Sequence, residues 1–137
     1  MEGEMMSSDS TPSGIRGTET ILIIDDEESI ILMLSDVLGH NGYTVHASTA
    51  AEKGIVLFEK LKDEVDLVLL DIVMPGINGV DVLGEIMKIN PDVKVLLASG
   101  YSRLDQHENL IEKGASGFIS KPFRIFELLK EIRSLLD

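Results

Sequence analysis

The chain has no cysteine and no tryptophan, only two tyrosines and four phenylalanines, and 12 basic against 24 acidic side chains in 137 residues. Without cysteine there is no disulfide framework, no thiolate zinc site and no thiol nucleophile. The shortage of Lys and Arg leaves a net charge of −12 and a pI near 4.5, so phosphate backbones and anionic lipid are repelled. Nucleic acid and direct membrane contact are therefore not expected. No apolar run approaches the roughly 18 residues of a membrane-spanning helix. The N-terminus lacks a basic stretch followed by an apolar one, so no secretory signal is read and a cytoplasmic location is expected. The 44% apolar fraction is that of a globular protein, and the length suits one domain burying roughly two thirds of its unfolded surface.

The first 19 residues differ from the rest. Ser7, Ser8, Ser10, Thr11, Pro12, Ser13 and three glycines leave little to bury, so Met1 to Glu19 is expected to be a flexible tail or linker, with the folded domain over 20–137. The tail carries four acids and one Arg, so about −9 of the charge stays with the domain. Within the domain there is no repeat and no low-complexity segment.

From Thr20 onward short apolar runs alternate with stretches of helical periodicity. The first strand, Ile21 to Ile24, ends at Asp25. A helix follows with Ile30, Ile31, Leu34, Val37 and Leu38, stopped at His40-Asn41-Gly42. The second strand is read over Tyr43 to Ala47. A second helix holds Ala51, Ile55, Phe58 and Leu61, with Ser48 or Thr49 as its expected cap. The third strand, Asp66 to Leu70, ends at Asp71, and Asn78-Gly79 leads into a helix with Val82, Leu83, Ile86 and Met87. After Pro91 come the strand Val93 to Ala98, a weakly amphipathic helix with Leu104, Leu110 and Ile111, and the strand Gly117 to Ser120. A last helix carries the stripe Ile125, Leu128, Leu129, Ile132, Leu135 and Leu136. Strands apolar on both faces mark a parallel sheet covered on both sides, and right-handed crossovers put helices on each. Five such units make an open doubly wound α/β sheet and are too few for an eight-fold barrel.

Chemistry in such a sheet sits at the carboxyl ends of the strands. There the sequence puts Asp25 and Asp26, Asp71, Ser99-Gly100 and Lys121-Pro122. Taken singly, the acidic pair reads as a helix N-terminal charge, Ser99-Gly100 and Lys121-Pro122 as turns, and Phe118 as core. Their shared edge makes them a site. Clustered carboxylates repel one another unless a cation neutralises them, and an all-oxygen donor set suits a hard divalent ion, Mg²⁺ above all. Asp71 can then attack phosphorus, while Lys121 and Ser99 hold phosphoryl oxygens. His40, His46 and His107 have no metal-ligand spacing.

The segments ILIIDDEE (21–28), LLDIVMPGING (69–79), LASGY (97–101) and GASGFISKPF (114–123) closely resemble the receiver domains of two-component response regulators. The resemblance implies a flavodoxin-like (βα)5 fold with strand order 2-1-3-4-5. It implies that Asp71 is the phosphoacceptor, with Mg²⁺ held by Asp26, Asp71 and the Val73 backbone carbonyl, and by Asp25 through water. Ser99 and Lys121 stand at the phosphate-binding positions and Phe118 at the switch aromatic. Pro122 follows a peptide bond that is usually cis in the family, and Pro75 and Gly79 match the turn after the phosphoacceptor. Val73 and Tyr101 stand where dephosphorylation is tuned, and neither can orient a water well, so slow self-hydrolysis is expected. The implied partners are a histidine kinase or histidine phosphotransfer domain, and a downstream protein bound through helix 4, strand 5 and helix 5.

Other functions remain to be weighed. An aspartyl-phosphate phosphatase also uses a strand-end Asp, Mg²⁺ and Lys, but needs a second Asp where Val73 stands. A flavodoxin-like carrier needs a phosphate-binding loop after the first strand, where Asp-Asp-Glu-Glu would repel flavin phosphate. A P-loop nucleotidase is excluded by the missing G-x-x-x-x-G-K-[ST] run. A degenerate receiver acting as a phosphorylation-independent interaction module is the rival that shares the fold. The chain ends about where the last helix ends, so no effector domain is expected after it. The Glu19-Thr20-Ile21 opening and the SGY and GFISKPF segments look like receivers of hybrid sensor kinases, and a stand-alone receiver is the other reading.

Overall fold

The computed structural model describes residues 15–74, 77–100 and 110–137. Five strands form one parallel sheet: β1 (Thr20–Ile24), β2 (Thr44–Ser48), β3 (Val65–Asp71), β4 (Lys94–Ser99) and β5 (Gly117–Ser120). Their order across the sheet is 2-1-3-4-5, with every neighbouring pair parallel. The helices are α1 (Glu28–His40), α2 (Ala51–Leu61), α3 (Gly79–Ile89), a helical stretch at 110–112 (α4) and α5 (Ile125–Leu136). This is the doubly wound architecture read from the alternation of apolar runs. No helix among the described residues is long and apolar enough to cross a membrane.

The sheet divides the core in two. Ile21, Ile23, Leu67, Leu69 and Leu96 point to one face and pack with Ile31, Leu34 and Leu38 of α1 and Leu128, Leu129 and Ile132 of α5. Leu22, Ile24, Val68, Leu70, Val95 and Leu97 point to the other and pack with Phe58 of α2, Val82, Leu83 and Ile86 of α3, and Leu110. Successive side chains on a strand face opposite ways, so a strand buried on both faces must be apolar throughout. The edge strands β2 and β5 are only half-buried, and their sequences are correspondingly mixed.

Two expectations change, and one local feature is added. Neither Ser48 nor Thr49 caps α2: Ala50 is the cap residue, and Ser48 Oγ is engaged with Ala50, accepting its N–H at 3.2 Å and donating to its carbonyl at 2.7 Å. The hydroxyl closes a local turn that competes with the cap. The segment after Asp71 forms a two-residue antiparallel ribbon, Val73–Met74 against Ile77–Asn78, before Asn78 Oδ1 caps α3 by accepting from the Val80 N–H. Residues 15–19, read as tail, are packed. Ile15 is 7% exposed among α1 and α5 side chains, Gly17 N–H donates to the Asn41 carbonyl at 3.0 Å, and Glu19 pairs with Arg133 at 2.8 Å. The rest of the expected tail, residues 1–14, lies outside the described residues.

Gly42 closes α1 with φ +99°, a conformation that side chains disfavour, and lies directly against the Gly17 carbonyl.

Candidate functional site

The sheet register assembles one cluster. Ile24 pairs with Leu70, Asp71 with Ala98, and Ala98 with Ile119. Asp25 therefore leaves β1 level with Asp71, and Ser99 and Ser120 lie one residue further along. Lys121 follows, its N–H donating to the Ser99 carbonyl at 2.7 Å. Four strands thus deliver their terminal residues to one edge.

The side chains meet there. Asp25, Asp26 and Asp71 each offer a carboxylate oxygen, and these oxygens lie within 4.8 Å of one another. Lys121 Nζ donates to Asp25 Oδ2 at 2.8 Å and to Asp71 Oδ2 at 3.2 Å. Two backbone amides serve the remaining oxygens: Glu27 N–H donates to Asp25 Oδ1 at 2.9 Å, and Val73 N–H to Asp71 Oδ1 at 3.0 Å. Among the described residues, Asp25, Asp71 and Ser99 are the buried polar or charged side chains, at 4%, 4% and 9% exposure. Burying such groups is costly unless they are paired, so their gathering at one edge marks chemistry rather than packing.

Electrostatics follow from that burial. Burial pushes the Asp71 carboxyl above its ordinary value, and the charge on Asp25 adds to this; the Val73 N–H and the Lys121 ammonium pull against it. Burial disfavours the Lys121 ammonium, but Asp25 and Asp71 outweigh it and raise its pKa. Two of the three aspartates, Asp25 and Asp71, share the one ammonium, so the cluster stays short of positive charge. Its donors are all oxygen, as a hard divalent cation requires, and they fit Mg²⁺ on that ground.

The other expected residues fall around this centre. Val73 lies in the ribbon and is 51% exposed. Phe118, in β5, is level with Leu97 and packs half-buried against the α2–α3 side of the core. The Lys121–Pro122 peptide bond is cis. Gly79 opens α3 against the backbone of Ile72. Tyr101 and Pro75 lie outside the described residues. One contact was missed from the sequence: Glu27 Oε1 lies 3.7 Å from Lys121 Nζ. Glu27 stands in the acidic run after β1, where its charge favours the helix start and deepens the negative field, but the run itself does not point to Lys121.

A parallel (βα)5 sheet whose carboxyl edge gathers three aspartates and a lysine defines a class of signalling domain. The chain belongs to the response regulator receiver family, whose domain model matches residues 21–133. It is 32% identical over 123 residues to the sensor kinase CckA of Brucella abortus, covering 90% of this chain but 13% of that protein. It is 35% identical over 116 residues to the chemotaxis protein CheY of Thermotoga maritima, covering 82% of this chain and 95% of CheY. A receiver domain structure from Clostridium thermocellum superposes with a TM-score of 0.80 at 30% identity, covering 86% of this chain and 94% of that one. The chain therefore spans nearly all of one relative and about an eighth of another.

Proposed function

We propose that this receiver accepts a phosphoryl group onto Asp71 from a phosphohistidine, borne by a histidine kinase or a histidine phosphotransfer domain. The reading is carried by the burial of Asp25, Asp71 and Ser99 at one strand edge, with Lys121 bonded to both carboxylates. A degenerate interaction module needs none of these costly placements.

In the proposed step an Asp71 oxygen bonds to phosphorus as the phosphorus–nitrogen bond to imidazole breaks, and the departing imidazole takes up a proton. Asp26, Asp71 and the Val73 carbonyl would hold Mg²⁺, with Asp25 acting through water. Bound there, the ion would supply positive charge where the phosphoryl oxygens become more negative. Lys121 then passes from Asp71 Oδ2 to a phosphoryl oxygen, and Ser99 donates its hydroxyl to another. Phe118 moves into space that Ser99 leaves, and the face formed by α4, β5 and α5 changes its preference for a downstream protein. A local charge thus biases a two-state equilibrium. We take 20–137 as the receiver domain, with residues 15–19 packed onto it.

The test is labelling by a small phosphodonor with Mg²⁺. The wild-type chain takes up label and Asp71→Asn does not. Labelling of Asp71→Asn at a comparable rate refutes the assignment.

A further inference from the structure

Lys121 occupies the carboxylates that a divalent cation needs. Its ammonium is bonded to Asp25 and Asp71, whose side chains are 6% and 5% exposed. Glu27 is a third partner of different character. Its carboxylate lies 3.7 Å from Nζ, and its side chain is 58% exposed. Its backbone is fixed at the site through the N–H that Asp25 Oδ1 accepts. Glu27 is therefore anchored at the mouth, with a carboxylate that stays in water and within reach of the ammonium.

We propose that Glu27 is a positioning residue that gives the Lys121 ammonium an alternative seat when Asp25 and Asp71 turn to a divalent cation. The inference rests on the reading of the three-aspartate cluster as a Mg²⁺ site. A half-buried ammonium that loses its partners with no other anion nearby is costly. An ammonium that shifts toward a neighbouring carboxylate loses less, so the ion displaces it more readily. Removing Glu27 takes away that seat, and Lys121 then resists displacement.

The test is a double-mutant cycle on Mg²⁺ affinity, measured by titrating the full chain with MgCl₂ at fixed ionic strength and following amide chemical shifts. Glu27→Gln is expected to raise the Kd roughly two- to fivefold, the range of a single partly exposed ion pair. Glu28→Gln removes the same charge one residue further on and is expected to raise it by less than about 1.5-fold. In a Lys121→Gln background, with no ammonium to seat, Glu27→Gln should cost no more than Glu28→Gln does. Unchanged affinity in Glu27→Gln overturns the inference. So does a loss as large in the Lys121→Gln background as in the wild type, which would make Glu27 a plain source of negative field. Absence of saturable Mg²⁺ binding by the wild type would instead refute the metal site itself, and Glu27's role with it. Saturable binding with a flat cycle would refute the role of Glu27 alone.

Discussion

Lys121 Nζ donates to Asp25 Oδ2 at 2.8 Å, although 96 positions separate the two residues. The contact spans β1 to β5, and it exists because the register of four parallel strands brings their carboxyl ends level. Asp71, at the end of β3, one of the two strands between them, is the second carboxylate on the same ammonium.

Burying Asp71 in this cluster should weaken the fold. Its carboxyl titrates above the ordinary 3.8 because burial outweighs the help from Val73 N–H and Lys121. The folded state therefore holds a proton more tightly than the unfolded chain. Stability falls as pH rises from 3.8 through the raised value, and the full cost stands at neutral pH. Asp71→Asn should raise the melting temperature at pH 7, without divalent cation, by roughly 2–5 °C. The gain should vanish below the ordinary carboxylate value. Thermal unfolding at the two pH values checks this, and a lowered melting temperature at pH 7 contradicts it.

At the opposite end of the sheet the sign reverses. Arg133 of α5 donates to Glu19 Oε1 at 2.8 Å and to the Tyr43 hydroxyl at 3.3 Å, and it also pairs with Asp137. Its guanidinium holds the Glu19 carboxyl below the ordinary 4.5. That stabilisation is present above 4.5 and is lost as pH falls through the lowered value. Glu19→Gln should cost about 1–2 kcal/mol at pH 7, as loss of a charge-assisted hydrogen bond does. Urea titrations should show the difference shrinking at pH 3. Equal stabilities at pH 7 would mean that the clamp contributes nothing.

Two glycines of α3 should respond in opposite ways to alanine. A Cβ on Gly79 would lie 2.6 Å from Ile72 Cα, next to Asp71, whereas Gly84 has nothing within 4 Å. Gly79→Ala should destabilise by about 1–3 kcal/mol and slow labelling, because the backbone after Asp71 must shift. Gly84→Ala should stabilise by roughly 0.5–1 kcal/mol through helix propensity alone. Denaturant midpoints of the pair decide it; equal changes would show that the close approach to Ile72 is easily relaxed.

Val73 presents an exposed apolar side chain beside Asp71, with no atom that orients a water for attack on phosphorus. The phosphorylated chain should keep its phosphoryl group for minutes rather than seconds, and Val73→Asn should shorten that lifetime severalfold. Phosphate release after removal of the donor measures both. A wild-type lifetime of seconds would contradict the expectation.

Much of this was legible in the sequence because a parallel sheet writes a plain pattern. Ile21 to Ile24 and Leu67 to Leu70 are buried on both faces, so their order and spacing sufficed to find the strands, and the strand ends found Asp25, Asp71, Ser99 and Lys121. What stayed hidden depended on partners remote in the chain or on local competition. Ile15 and Glu19 look like tail because their neighbours are Ser, Thr and Gly; their partners are Tyr43 and an Arg133 lying 114 positions beyond Glu19. Ser48 could have capped α2 or closed a turn, and its chemistry alone does not choose. Glu27 reads as one acid in a row of four, and only the fold brings Lys121 to it.

The most direct measurement locates the phosphoryl group. After incubation with a small phosphodonor and Mg²⁺, the acyl phosphate is trapped by borohydride reduction and the chain is mapped by mass spectrometry. The modification is expected at Asp71 alone, and it should be absent when Mg²⁺ is removed by a chelator. Modification of another carboxylate, or none under conditions where a known receiver is labelled, would contradict the assignment of Asp71.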